Sequence, residues 1–466
     1  MPSAKKFIND LKLPARASLF YIGTSVLTKG LGFLITPLFT RALTEEEYGT
    51  FTLYISVLGV MSILASAFTS GSTVYVGLNK NKNAPQDYYR SLICSVLLFW
   101  GIICTLLFTF SPVFRLDYVF CLLVSLQVLF DALVGIYLSV LRFSYLYRGI
   151  VGISIFEAAV SPALSVLLIF LGVNGAFARI IALLAVSFIT AVYSLSRLLR
   201  QEGRARWDLV KNAFQTSIPL LPHSASSAVT SGADKFIITA FLGNVMLARY
   251  SVVHSVSGGL SFLVSSLIGA LTPWLSRHSG KGDEHRVREV LSLILRILSM
   301  LTLFLLAVIP EALRFLAPPE YSDALIAALP IALSTLPAFL IAISTIGLSL
   351  AEMSRYSVNI ATSSAVLNII LNYMLIPIFG YLGAGLALLV SQASGAALAL
   401  YYLKKCEKDY LIDTRELTFT FGLTVFFGIL ISLCKNLPAL RPLLLIIPAV
   451  IMLNSLFSAK RYVTES

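Results

Sequence analysis

Charge is what this sequence has least of. Only 12% of its 466 residues are Asp, Glu, Lys or Arg, about half the roughly 25% of soluble globular chains. Hydrophobic residues make up 57%, and the mean hydropathy is +0.86. Soluble domains cannot hide that much apolar surface, so the chain reads as a polytopic membrane protein. Histidine is also scarce, with four in the whole chain, and the five cysteines form no C-x-x-C pair and no Cys/His ligand spacing. Neither a disulfide framework nor a metal site is indicated, and no cofactor is expected. Long polar stretches are missing too. The longest, around Arg197 to Gln215, is a connector rather than a domain.

What is present is a succession of apolar runs. A helix needs about 20 apolar residues to cross a bilayer, and that window gives fourteen candidates. They fall at 18–40, 51–76, 91–110, 118–141, 150–171, 175–196, 216–242, 250–275, 290–309, 324–350, 358–379, 383–403, 417–434 and 441–458. The first run is too long for a cleaved signal segment and contains Lys29.

The net charge of +12, from 35 basic and 23 acidic residues, would ordinarily raise nucleic acid as a partner. Placed on the fourteen-span map, however, 25 of the basic residues fall in one alternate set of gaps and six in the other, with four inside spans. Such asymmetry is a topology signal. It predicts both termini in the cytoplasm and no nucleic-acid partner. The segment Lys5 to Leu13 reads as a short basic helix on the inner leaflet.

The chain also repeats itself. Gly172-Val-Asn-Gly175-Ala176 returns 208 residues later as Gly380-Tyr-Leu-Gly383-Ala384, and Glu47-Tyr48-Gly49 has its counterpart 202 residues on at Arg249-Tyr250-Ser251. The anchors lie six spans apart. They predict two six-helix bundles of the same orientation, related by a pseudo-two-fold along the membrane normal, with two additional C-terminal helices. The expected organisation is a cytoplasmic segment 1–17, a first lobe 18–196, a connector 197–215, a second lobe 216–403, and 404–466 as a loop and two extra helices. Parallel repeats of this kind form the cleft of alternating-access transporters. Gly380-x-x-Gly383-x-Gly385 has no strand before it and joins two apolar runs, so it reads as helix packing rather than a phosphate loop.

An ionised group at the bilayer centre costs about 2.5–3.5 kcal/mol on insertion scales, so charges there face a cavity or a partner. Here they are Lys29, Asp131, Glu157, Arg179, Asp234, Lys235 and Arg296. Arg179 and Arg296 stand within a turn or two of a membrane face, where snorkelling alone accounts for them. Asp131 reads either as a structural partner for a lysine or as a proton-responsive carboxylate, and Glu157 reads similarly. Lys29 and the Asp234-Lys235 pair lie in the opening helices of the two halves, both of which carry proline: Pro37 in one, Pro219 and Pro222 in the other. Interrupted helices at corresponding positions point to a binding site.

The run Lys29-Gly-Leu-Gly-Phe-Leu-Ile-Thr-Pro37-Leu-Phe-Thr-Arg41-Ala-Leu-Thr-Glu-Glu-Glu47-Tyr48-Gly49 resembles the opening of Wzx-type lipid-linked oligosaccharide flippases. These are polysaccharide exporters of the multidrug/oligosaccharidyl-lipid/polysaccharide (MOP) superfamily. The stretch Ala233-Asp234-Lys235 to Leu242-Gly243, and the hairpin from Pro377 to Ala384, are similar to the same family.

The resemblance implies a non-enzymatic flippase of the bacterial inner membrane. It would move an undecaprenyl-diphosphate-linked glycan to the outer leaflet, alongside a polysaccharide polymerase or assembly proteins. Lys29, Arg41 and Lys235 would contact the diphosphate. Asp131 or Asp234 would couple transport to H+ or Na+, with Glu157 as a further polar group of the cavity.

A multidrug antiporter of the same superfamily is the first alternative, although cavity lysines suit an organic cation poorly. A membrane-embedded glycan polymerase is the second, but the largest outer gap, around Glu311 to Asp323, is short for a catalytic loop.

Overall fold

The computed structural model describes residues 23–463, apart from 25, 26, 29, 70–72, 75, 76, 79, 80, 82, 83, 113–116, 145, 201, 279–282, 435 and 436. The segments 1–17 and Lys5 to Leu13, and Lys29 itself, lie outside the described residues. Among those described the fold is helical. Helix α1 covers 30–42. It is followed by α2 (Glu45–Thr69), α3 (Pro85–Phe110), α4 (Tyr118–Phe143), α5 (Tyr147–Phe170), α6 (Gly175–Leu198), α7 (Trp207–Ser217) and α8 (Leu221–Leu242). Next come α9 (Asn244–Ser257), α10 (Leu260–His278), α11 (Glu284–Leu316), α12 (Ala328–Leu333), α13 (Thr335–Leu350), α14 (Ser354–Phe379), α15 (Tyr381–Lys405), α16 (Thr414–Leu433) and α17 (Leu440–Val463).

A helix stands at the place of every expected span, yet ten among the described residues are long and apolar enough to cross a membrane, or eleven if α9 and α10 form one bent span. That number covers the described residues alone, which include only part of the spans expected at 18–40 and 441–458, and local features bear on the others. Pro319–Leu350 matches the single span expected at 324–350 and is built from a 3-10 segment, α12 and α13. Adjacent glycines at 258 and 259 separate α9 from α10, which are bent by 44°. Helix α8 holds serines, Asp234 and Lys235 among its apolar residues, and a 3-10 turn at Ile218–Leu220, containing Pro219, precedes it. The chain forms two compact units, Met1–Phe236 and Ile237–Ser466, which divide within α8.

In the first unit, α2, α4 and α6 pack on one another, α5 lies along α6, and α3 lies along α4. Thr44 and Glu47 make a capping box at the start of α2: the Glu47 amide donates to Thr44 Oγ1 at 3.2 Å, and Glu47 Oε2 accepts from the Thr44 amide at 3.0 Å. Asn174 caps α6 by accepting from the amides of Ala176 and Phe177. Helix α6 shows how a membrane helix divides its faces. Phe177, Ile181, Phe188, Ile189 and Val192 are exposed, as lipid-facing residues would be, while small residues such as Ala178, Ala182, Ser187 and Ala191 are buried. The stretch read as a connector ends in α7, whose Leu209, Val210 and Ala213 are buried and which packs on α3.

In the second unit the α14–α15 hairpin is the counterpart of α5–α6. Gly172 (φ +84°) and Gly380 (φ +57°) occupy left-handed backbone at the two turns. A Cβ on Gly383 would lie 2.3 Å from the Leu375 carbonyl oxygen, so only glycine lets α15 approach the α14 backbone this closely. Gly383→Ala is therefore expected to destabilise the protein by about 1–3 kcal/mol. Gly422→Ala, whose added carbon meets nothing within 4 Å, should be neutral or gain up to about 1 kcal/mol. Thermal unfolding of the two variants in detergent checks this contrast.

The extra helices α16 and α17 both pack on α11. Arg296 of α11 has a partner there, the carboxylate of Glu416 on α16. Arg441, at the start of α17, is 2% exposed. It makes a two-pronged pair with Glu311 (Nη1–Oε2 2.7 Å, Nη2–Oε1 2.5 Å) and donates to the Ala307 carbonyl at 2.7 Å.

Candidate functional site

The first unit gathers two of the expected residues into one polar cluster. Gln127 and Asp131 are one turn apart on α4, Glu157 is on α5, and Ser187 and Thr190 are on α6. Gln127 Nε2 donates to Asp131 Oδ1 at 2.9 Å and to Ser187 Oγ at 2.5 Å. Thr190 Oγ1 is 2.9 Å from Glu157 Oε1, to which it donates. The two carboxylates act on each other electrostatically, and no lysine or arginine among the described residues pairs with either. Lys29 lies outside the described residues, so both readings of Asp131, as a structural partner for a lysine and as a proton-responsive carboxylate, stay open. The described hydrogen bonds to the two carboxylates thus come from neutral donors, Gln127 and Thr190.

Arg41 sits in the last turn of α1, exposed, where its Nη1 donates to the Pro37 carbonyl at 3.1 Å, an arrangement favoured at a helix C-terminus. Asp234 is buried and Lys235 half-buried on α8, as neighbours about 100° apart on a helix must differ. Neither Arg41 nor Lys235 joins the Asp131–Glu157 cluster.

Two groups have surroundings that the sequence did not show. Arg179 does not snorkel alone: its guanidinium lies between the rings of Phe39 and Phe51, 3.8 Å from each centroid. The second is a polar stripe on α14, Ser364, Asn368 and Asn372, at i, i+4 and i+8. Asn368 Nδ2 donates to Ser391 Oγ on α15 at 3.1 Å, and Asn372 Nδ2 to Asn368 Oδ1 at 3.0 Å. Both asparagines are buried, and Asn372 Oδ1 and Ser364 Oγ accept no hydrogen bond. Four-residue spacing in an apolar helix was the legible signal for this stripe. Nothing in sequence order marks Phe39 and Phe51 as partners of Arg179. No cluster of three or more His, Cys, Asp or Glu able to hold a metal ion occurs among the described residues.

Residues 15–279, more than half of the chain, match the family described as "Polysaccharide biosynthesis protein". The chain belongs to that family. Residues 219–374 also match the MatE family. A probable low-salt glycan biosynthesis flippase of Haloferax volcanii, Agl15, is 23% identical over 407 residues, covering 84% of this chain and 83% of its own length. A second probable flippase of that organism, AglR, is 23% identical over 425 residues, again across 84% and 83%.

Among solved structures, the lipid II flippase MurJ in an inward closed conformation superposes with a TM-score of 0.72 at 15% identity, covering 95% of this chain and 99% of that one. An inward-facing multidrug resistance transporter of the MATE family and MOP superfamily gives 0.66 at 12% identity, covering 81% and 95%. At such identities the likeness establishes the fold. This polysaccharide-biosynthesis family member is thus a multi-pass membrane protein with the fold of the MOP superfamily, as its opening residues led one to expect.

Proposed function

We propose that the chain is a flippase for lipid-linked glycan, a transporter rather than a catalyst, working by alternating access. The observation that carries this reading is the match to the polysaccharide-biosynthesis family over residues 15–279. Support comes from the flippases Agl15 and AglR, each aligned over 84% of the chain. The cargo in this reading is a glycan on undecaprenyl diphosphate in a bacterial inner membrane, with both termini of the flippase in the cytoplasm. Lys29, Arg41 and Lys235 attract the diphosphate, because cations in a low-dielectric setting act on phosphate far more strongly than in water. Asp131 and Glu157 take up H+ or Na+, with Asp234 as a further coupling carboxylate. Among the described residues no lysine or arginine pairs with Asp131 or Glu157, which supports that role.

Deletion in the native host, with lipid-linked intermediates measured separately on each face of the membrane, tests the proposal. Full-length intermediate trapped on the cytoplasmic face, together with loss of surface glycan, is the expected result. Single repeat units accumulating on the outer face would instead indicate a polymerase. The MatE match over residues 219–374 favours a second reading, an ion-coupled multidrug antiporter. Normal glycan with raised drug sensitivity would select it. At residue level, Lys29→Ala is expected to abolish complementation at unchanged protein level, and full activity would remove Lys29 from the site.

A further inference from the structure

Arg179 is the one intramembrane arginine whose surroundings are settled without giving it an acceptor. Arg296 and Arg441 each face a glutamate. The Arg179 guanidinium makes neither a hydrogen bond nor an ion pair among the described residues. Its neighbours are the Phe39 ring of α1 and the Phe51 ring of α2, with Tyr48 close enough for an electrostatic interaction. The carboxylate of Glu47, at the same helix ends, is engaged elsewhere: Oε1 accepts from the Gly175 amide at 3.0 Å and Oε2 from Thr44. Glu47 therefore fastens the start of α2 to the start of α6 and leaves Arg179 uncompensated.

Geometry decides where a ligand could reach this group. Arg179 lies two residues from Phe177 and two from Ile181, both exposed on α6. At about 100° per residue it points away from that apolar stripe, toward the face that buries Ala176, Ala182 and Val186. It therefore does not look into lipid. The two rings sit 3.8 Å from the guanidinium carbon and offer it no hydrogen-bond acceptor, so its N–H donors are left for a ligand. The side chain is half-buried rather than sealed, and two stacked rings remove most of the rotamer freedom that a flexible arginine would lose on binding.

We propose that Arg179 is a preorganised anion fork that takes two phosphate oxygens edge-on, the phosphate belonging to the lipid-linked cargo. The proposal rests on the flippase reading and deepens it by naming a binding residue apart from Lys29, Arg41 and Lys235. Arg179 stands in the second turn of α6, next to the Gly172–Gly175 hairpin that the charge asymmetry assigns to the outer face. Ser187 and Thr190, which hold the carboxylate cluster, lie on the same broad side of α6, about 12 and 16 Å further along the axis. Cation and carboxylates thus occupy different levels of one unit, and the fork holds the phosphate end of the cargo at the outer level.

The test uses the purified full-length protein in lipid nanodiscs. Binding of farnesyl diphosphate is measured for the wild type, Arg179→Lys, Arg179→Met and the Phe39→Leu/Phe51→Leu double variant, with phosphatidylglycerol as competitor. A charge-assisted hydrogen bond contributes about 1.5–3 kcal/mol, so Arg179→Met should weaken diphosphate binding roughly 10- to 100-fold. Arg179→Lys should recover only part of this, because lysine keeps the charge and loses the fork. The double phenylalanine variant keeps the arginine and should weaken binding by a smaller factor. It serves as the readout if Arg179→Met does not fold.

Wild-type affinity for farnesyl diphosphate in Arg179→Met, with only a lowered unfolding temperature, would make Arg179 a strap between helices and overturn the proposal. So would loss of phosphatidylglycerol binding with diphosphate binding intact, since the anion would then be a bilayer headgroup. Neither outcome touches the flippase reading, which fails separately if the deletion strain exports glycan normally.

Discussion

Glu311→Ala is expected to lower the stability of the protein by about 3–5 kcal/mol, the cost of leaving a buried charge without its partner. The two ends of this ion pair are not equivalent. Arg441 is 2% exposed while the Glu311 side chain is 45% exposed, so removing the glutamate strands a charge that water cannot reach, whereas removing the arginine leaves a carboxylate that water can. Arg441→Met should therefore cost less than Glu311→Ala, and Glu311→Leu/Arg441→Met should recover most of the loss or exceed the wild type, because a packed apolar pair avoids the desolvation of both ions. Unfolding midpoints of the four proteins in one detergent, read as a double-mutant cycle, check this order. Equal losses from the two single variants would contradict the asymmetry between the sealed arginine and the half-exposed glutamate.

The second large effect concerns the carboxylates of the first unit. Asp131→Asn together with Glu157→Gln keeps the size and hydrogen-bonding capacity of both side chains. Gln127 and Thr190 still have oxygens to donate to, so stability should change little. In the proposed coupling role, by contrast, the transported cation loses both of its charges. A coupling free energy of 1–3 kcal/mol corresponds to a factor of roughly 5 to 150, and glycan export in the double variant should fall by that order. The remaining export should no longer respond to collapse of the proton or sodium gradient. Surface glycan measured with and without an ionophore checks both parts, and export that stays gradient-dependent would take the coupling site away from these residues.

Much of the fold could be read in advance because a bilayer imposes one dominant rule. Twenty apolar residues are needed per crossing, and the runs that began near 118, 175 and 383 became α4, α6 and α15 with boundaries shifted by only a few residues. Where the sequence departs from that rule, the expectation loosened. Helix α7 lay inside a stretch taken for a connector, although Leu209, Val210 and Ala213 already had helical spacing, because an eleven-residue amphipathic helix falls below any membrane window. The single span expected at 250–275 is two helices, since two consecutive glycines leave the backbone free to bend there.

At the site the division is sharper. Asp131, Glu157 and Lys235 could be nominated individually, because a charge inside an apolar run is visible on its own. Their company could not. The contacts that give Arg179, Arg296 and Arg441 their roles join residues about 120 to 140 positions apart, and nothing in an amphipathic pattern encodes which of several helices will lie beside a given arginine. Snorkelling was a reasonable reading for an isolated side chain near a membrane face. It gives way once a ring or a carboxylate from another helix is seen at the guanidinium. The asparagine stripe of α14 is an intermediate case: four-residue spacing is a signal of a shared face that the sequence does carry, while packing against Ser391 is what shows the face to be buried.

The account stands or falls on movement of a lipid-linked glycan by this chain alone. The direct measurement is a proteoliposome assay, in which the purified protein is reconstituted with a fluorescent short-chain glycan on a polyprenyl diphosphate and a membrane-impermeant quencher reports how much of it reaches the outer leaflet. The account predicts protein-dependent loss of the protected fraction, accelerated by an imposed proton or sodium gradient and slowed in Asp131→Asn/Glu157→Gln. A protected fraction that stays at the protein-free level under every gradient, while the same vesicles accumulate an organic cation, would contradict it.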